Sequence, residues 1–127
     1  MKFTNNDDIK IFKDIVTNIQ TGILVTRLEK DKLKGRKLST SEVDEFGHLW
    51  FFTDKQSDYV KEVSVNKEVY VIYKSENFNT YMVVTGEASL ETDKNKINKL
   101  WKKSRQEEVY DNSRLTLLKV IPSNIEY

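Results

Sequence analysis

The stretch Asp44-Glu45-Phe46-Gly47-His48-Leu49-Trp50-Phe51-Phe52-Thr53 decides how this chain is read. Its first four residues have the composition of a tight turn, and the last six are dominated by bulky side chains that suit a pleated, packed surface. A turn feeding a strand needs a second arm. Arg36 to Val43 is therefore expected to pair with His48 to Thr53 as a hairpin, although most of its positions are polar.

Working outward, Asn5 to Asp8 offer several N-cap side chains, and Ile9, Phe12, Ile15, Val16 and Ile19 follow at helical spacing. This predicts an amphipathic helix to about Gln20, then a strand over Ile23-Leu24-Val25-Thr26 and a polar loop from Glu29 to Gly35. Beyond the hairpin, Ser57 to Asn66 carries Val60 and Val63 on one face of a short helix. Val69 to Tyr73 and Tyr81 to Thr85 read as neighbouring strands around the turn-like Ser75-Glu76-Asn77. Thr92 is expected to cap a third helix built on Ile97, Leu100 and Trp101, with a polar segment to Ser113 and a last strand over Leu115 to Ile121. About six strands and three short helices, without βαβ alternation, predict a mostly β fold with an antiparallel sheet. Closing it into a small barrel removes exposed edges.

At 127 residues the chain is expected to be one domain, residues 1–127, and one proline with 38% hydrophobic residues marks it as globular rather than disordered. Lysine plus arginine number 21 against 20 acidic residues, so the net charge of +1 gives no field to attract nucleic acid or anionic lipid. Neither is expected as a partner. The absence of cysteine excludes disulfides and thiolate chemistry. The N-terminus lacks an apolar signal core, and no stretch approaches the roughly 20 apolar residues of a membrane-spanning helix, so a cytoplasmic location is expected.

No catalytic triad, nucleophile elbow, glycine-rich phosphate loop or metal-ligand cluster is present, so hydrolytic and metal chemistry lose their support. His48, beside the turn, is assigned no role, and Glu42, Asp44 and Glu45 read as a solvated charge run. One constellation follows from geometry. A turn centred on Glu45 places Arg36 opposite Asp54 and beside Thr53, with the start of the next helix near Ser57. Free helix N–H groups, a hydroxyl and a guanidinium together suit a phosphate monoester. The plainer alternative is that Arg36 pairs with Asp54 and Ser57 merely caps the helix, and composition alone favours it. Lys37 points to the opposite face from Arg36 unless a bulge intervenes. Among Trp50, Phe51, Phe52, Tyr70, Tyr73 and Tyr81, strand alternation sends some inward as core and others outward, where a row of them would serve a ligand or a second subunit.

The order and spacing of Gly22-Ile23-Leu24-Val25-Thr26, Gly35-Arg36, Gly47 to Thr53, Ser57 to Val71, Tyr81 to Ala88, Leu100-Trp101, Leu117 to Pro122 and Glu126-Tyr127 carry a resemblance over nearly the whole chain. The sequence resembles the pyridoxamine 5'-phosphate oxidase-like split barrels that bind flavin mononucleotide (FMN), and within them the general stress protein class. The resemblance implies a six-stranded Greek-key split β-barrel and a homodimer with FMN in clefts between the subunits. It further implies that Arg36 holds the phosphate, that Lys37, Leu38 and Ser39 run beneath the isoalloxazine ring, and that Phe52 and Thr53 meet the ribityl phosphate region. Ser57 would contact the phosphate and Tyr81 the flavin edge, which tips Arg36 and Ser57 towards a functional role.

Two positions depart from the pattern. Lys37 stands where the class commonly has proline, and Tyr59 where it commonly has a phosphate-binding lysine, a cation that Lys55 or Lys61 could replace. The function implied is a flavin-dependent oxidoreductase or flavin-binding stress protein acting on a small-molecule redox substrate. True pyridoxamine phosphate oxidases bind substrate with a C-terminal arginine segment, and no arginine follows Arg114, so that activity is not expected. Tyr59 favours the alternative function, a non-enzymatic dimeric split-barrel ligand-binding or interaction module with weak or no FMN binding.

Overall fold

In the computed structural model, which describes residues 5–29, 32–75, 79–104 and 115–126, the Asn5 side chain caps α1 (Asn6–Ile19) by accepting the Asp8 N–H at 3.0 Å. Phe12 and Val16 of α1 are fully buried, as the helical spacing requires. The helix ends at Gln20, whose φ of 65° swings the chain into β1 (Thr21–Glu29). The remaining elements are β2 (Lys32–Ser39), β3 (Glu42–Val43), β4 (Leu49–Asp54), α2 (Asp58–Val65), β5 (Glu68–Lys74), β6 (Tyr81–Glu91), α3 (Lys94–Ser104) and β7 (Leu115–Glu126).

All strand pairs are antiparallel, and the strands form one sheet in the order β2-β1-β5-β6-β7-β4-β3. The sheet curls around a core that includes Leu24, Phe51, Val71, Tyr73, Val84, Leu118 and Val120, with α1 and α2 contributing Phe12, Val16, Val60 and Val63. This is a split β-barrel. A second cluster of Trp50, Ile97, Leu100 and Leu117 lies beneath α3, with Phe52 packed against it. β4 and β7 are thus covered on both faces, which is why Leu115 to Leu118 reads as a nearly continuous apolar run rather than an alternating one. Among the described residues no helix is long and apolar enough to cross a membrane.

Several expectations are corrected. The loop placed at 29–35 is largely β2, whose Lys32, Leu33, Lys34 and Gly35 are exposed because it is an edge strand. The hairpin is only two pairs long, Glu42 opposite Trp50 and Val43 opposite Leu49, so its turn is centred one residue later than assumed. Upstream of it the chain changes partner. The Thr40 N–H bonds to the Gln20 carbonyl and the Ser41 N–H to the Trp50 carbonyl, so Arg36 lies opposite Leu24 on β1. Asp54 lies opposite Leu115, and Thr53 opposite Thr116. Counting the two-residue β3, there are seven strands among the described residues rather than six. β7 runs past Ile121 to Glu126, because Pro122 falls opposite Gly86, where the register shifts and its missing N–H is tolerated. Asp93, not Thr92, supplies the cap of α3 by accepting the Asn95 N–H at 2.9 Å. The polar segment ending at Ser113 and the centre of the turn at Ser75-Glu76-Asn77 lie outside the described residues.

Candidate functional site

Antiparallel alternation decides where the side chains of β2 go. Arg36 is opposite the fully buried Leu24 and therefore shares its inward face, beneath α2. There the Arg36 Nη1 and Nη2 donate to the two carboxylate oxygens of Glu62 at 3.1 and 3.0 Å. The two side chains are only 19% and 9% exposed. The Glu62 carboxylate also accepts the Thr26 hydroxyl. Hydrogen bonding from Arg36, then from Thr26, holds Glu62 below its ordinary pKa against the opposing effect of burial.

The same guanidinium lies 4.9 Å from the centroid of the Tyr59 ring. The Tyr59 hydroxyl is hydrogen-bonded to that of Thr53, a buried residue at the end of β4. Through Tyr59 and Glu62, α2 links Thr53 on β4 to Arg36 on β2 and Thr26 on β1. Arg36 and Thr53 thus meet at the first turns of α2, though by a route different from the hairpin register that suggested it. The Arg36–Asp54 pair of the plainer alternative does not form, since Arg36 binds Glu62 and Asp54 accepts the Gln56 N–H.

Ser57 occupies the N-cap position of α2 and makes no side-chain capping hydrogen bond. Close by, Lys34 on β2 pairs with Asp58 at 3.7 Å, while Lys55 and Lys61 are exposed. The donor types at this corner fit a phosphate monoester: the Ser57 hydroxyl makes no capping bond, although the Val60 N–H is taken by the Ser57 carbonyl, and Arg36 lies against the Tyr59 ring. The Arg36 cation itself is already engaged by Glu62.

The other predicted residues divide between two further places. Lys37 and Ser39 are exposed on the outer face of the sheet, and no bulge interrupts β2 between Arg36 and Lys37. Lys37 ends the cross-strand row Ile23, Ile72, Val83. Tyr81, 52% exposed at the start of β6, sits opposite Lys74 with the Lys74 ammonium 5.9 Å from its ring centroid. Leu38 turns inward and packs on the core. Phe52 lies on the other face of β4 from Thr53, in edge contact with Trp101 at 5.2 Å between centroids. In this chain, then, Arg36, Thr53 and Ser57 gather around α2, while Lys37, Ser39 and Tyr81 share the outer face.

Glu62 and Asp44 escaped the sequence reading. Glu62 had one signal, a carboxylate three residues after Tyr59 on a helix that must bury one face. Asp44 is no solvated charge. Its carboxylate accepts the Phe46 and His48 N–H groups and the Trp50 indole N–H, each at 2.9 Å. Burial raises its pKa, but these bonds outweigh it and leave the group below its ordinary value. His48 is half-buried 3.7 Å from Asp44, and burial lowers its pKa against the pull of that carboxylate. Among the described residues no cluster suits a metal ion. A recess of about 220 Å³ between α1 and the β2–β3 junction is lined by none of the predicted site residues.

Residues 7–127 match the family described as pyridoxamine 5'-phosphate oxidase like. The general stress protein 26 of Bacillus anthracis shares 28% identity, with a TM-score of 0.69 over 89% of this chain and 90% of that one. A general stress FMN/FAD-binding protein of Xanthomonas citri has 19% identity and a TM-score of 0.73, covering 93% and 84% of the two chains. A Clostridium acetobutylicum protein related to general stress protein 26 has 13% identity and a TM-score of 0.75, covering 95% and 87%. No curated protein matches the sequence.

Proposed function

The chain belongs to the pyridoxamine 5'-phosphate oxidase-like family, and on that premise we propose that it is an FMN-binding protein that works as a homodimer, with flavin-dependent oxidoreduction of a small molecule as its activity. The observation that carries this reading is the uncapped start of α2 with Arg36 and Thr53 beside it. In this reading Ser57 and the first N–H groups of α2 receive the phosphate, and Arg36 supplies the charge. Lys37 and Ser39 on the outer face of β2, and Tyr81 across the sheet, orient the ring. Bound FMN supplies the electron-transfer chemistry, and the protein supplies binding and orientation.

Support for a dimer comes from the outer face of the sheet, where Ile23, Ile72 and Val83 form one cross-strand row and Val25 and Tyr70 the next. Such a surface is best covered by a symmetric copy, which would wall in a ligand lying against β2. Adding FMN to the purified protein should produce a protein-bound flavin spectrum and quench flavin fluorescence, and light scattering should report twice the chain mass. A colourless protein that takes up no FMN would refute the reading. It would favour the second one, a non-enzymatic ligand-binding or interaction module, which has Tyr59 in place of a cation and the engaged Arg36 behind it.

A further inference from the structure

We infer that Glu62 is a specificity-determining residue of the phosphate corner: its carboxylate holds the Arg36 guanidinium, so an incoming phosphate must compete with an internal anion for the same cation. The inference rests on the placement of the phosphate proposed above. Two of the five guanidinium N–H groups are spent on Glu62. Glu62 is no casual surface partner, because its side chain is 9% exposed and anchored again by Thr26.

Two of the cations at the corner are matched before any ligand arrives. Arg36 is matched by Glu62, and Lys34 by Asp58. A phosphate dianion that reaches Arg36 must either share it with the carboxylate, at the cost of anion–anion repulsion, or displace that carboxylate. Riboflavin, which ends in a hydroxyl, meets no such penalty. The site therefore selects for the flavin ring system more than for the phosphate, and Glu62 sets that balance.

The test compares FMN with riboflavin by fluorescence quenching at fixed ionic strength, in the wild type and in Glu62→Gln. The glutamine keeps the shape of Glu62 and an acceptor for Thr26. The wild type should bind the two flavins within about tenfold of each other, and Glu62→Gln should tighten FMN by roughly tenfold without changing riboflavin. A wild-type preference for FMN of about a hundredfold or more would overturn the inference, as would a Glu62→Gln variant whose FMN affinity stays the same or falls. The wild-type ratio decides even if the variant does not fold.

If the wild type takes up neither flavin, the FMN reading fails separately, and inorganic phosphate becomes the probe. At matched ionic strength, phosphate should raise the unfolding temperature of Glu62→Gln but not that of the wild type or of Arg36→Met/Glu62→Gln. No rise in Glu62→Gln would overturn the inference there too, and loss of folding in that variant would leave wild-type insensitivity to phosphate as the requirement.

Discussion

Removing Arg36 should destabilise the protein more than removing an ordinary surface cation, and by an amount the structure bounds. Exposed ion pairs contribute about 0–1 kcal/mol. Breaking a fully buried pair by deleting one partner costs roughly 3–5 kcal/mol, because the other charge is stranded. Arg36 and Glu62 are 19% and 9% exposed, and Glu62 keeps the Thr26 hydroxyl after Arg36 is lost. Arg36→Ala is therefore expected to cost about 2–3 kcal/mol. Glu62→Ala should cost about 1–2 kcal/mol, since Arg36 retains the Tyr59 ring 4.9 Å away. The double variant strands no charge and should cost no more than Arg36→Ala, a coupling of at least about 1–2 kcal/mol.

Urea unfolding followed by tryptophan fluorescence measures all three, at one fixed protein concentration because dimerisation would add to apparent stability. The pH dependence gives an independent sign. Glu62 is held below its ordinary value of 4.5, chiefly by the hydrogen bonds from Arg36. A carboxylate depressed in the folded state contributes stability that is fully present above the unfolded value and is lost as pH falls through the folded one. The gap between wild type and Arg36→Ala should thus be constant near neutrality and shrink below about pH 4.5. Additive single costs at neutral pH, or a gap that persists into acid, would refute the coupling.

Two further outcomes test the frame that carries this pair. Gly86→Ala would put a Cβ 2.5 Å from the Ile121 carbonyl oxygen, and Gly22→Ala one 2.8 Å from Cε1 of the Tyr73 ring. Backbone yields less readily than a ring edge, so Gly86→Ala should lose about 2–3 kcal/mol in urea unfolding and Gly22→Ala about 1–2 kcal/mol. Asp44→Asn leaves a single acceptor oxygen for the Phe46, His48 and Trp50 N–H groups, and should cost about 1–2 kcal/mol and shift the Trp50 emission.

The elements that the sequence made plain are those whose burial is one-sided or total. α1 and α2 carry buried residues at helical spacing, Phe12 and Val16 in the first, Val60 and Val63 in the second. β5 alternates buried Val69, Val71 and Tyr73 with more exposed neighbours. β2 was obscure for a definite reason. Its inward positions Lys34 and Arg36 face the polar side of α2 instead of the apolar core, so the alternation that marks a strand is written in charges. The two-residue β3 has no pattern to read. Its pairing depends on Thr40 and Ser41 handing the chain from β1 to β4, a tertiary event with no local signature.

The candidate site was legible to the same depth. The hairpin register that groups Arg36 with Thr53 is not the observed pairing, yet both side chains touch Tyr59 on the helix that follows β4 directly. The partner of Arg36 has no local signal, since the Glu62 side chain reaches it from α2, 26 residues further along the chain. The opposite facing of Arg36 and Lys37, unavoidable in an unbulged strand, then constrains any ligand that uses both. Such a ligand cannot lie on either face alone and must run along an edge. Among the described residues, β2 is the terminal strand of the sheet, with β1 on one side and no strand hydrogen-bonded on the other. Its outer edge is thus where an inward guanidinium and an outward ammonium can reach one molecule.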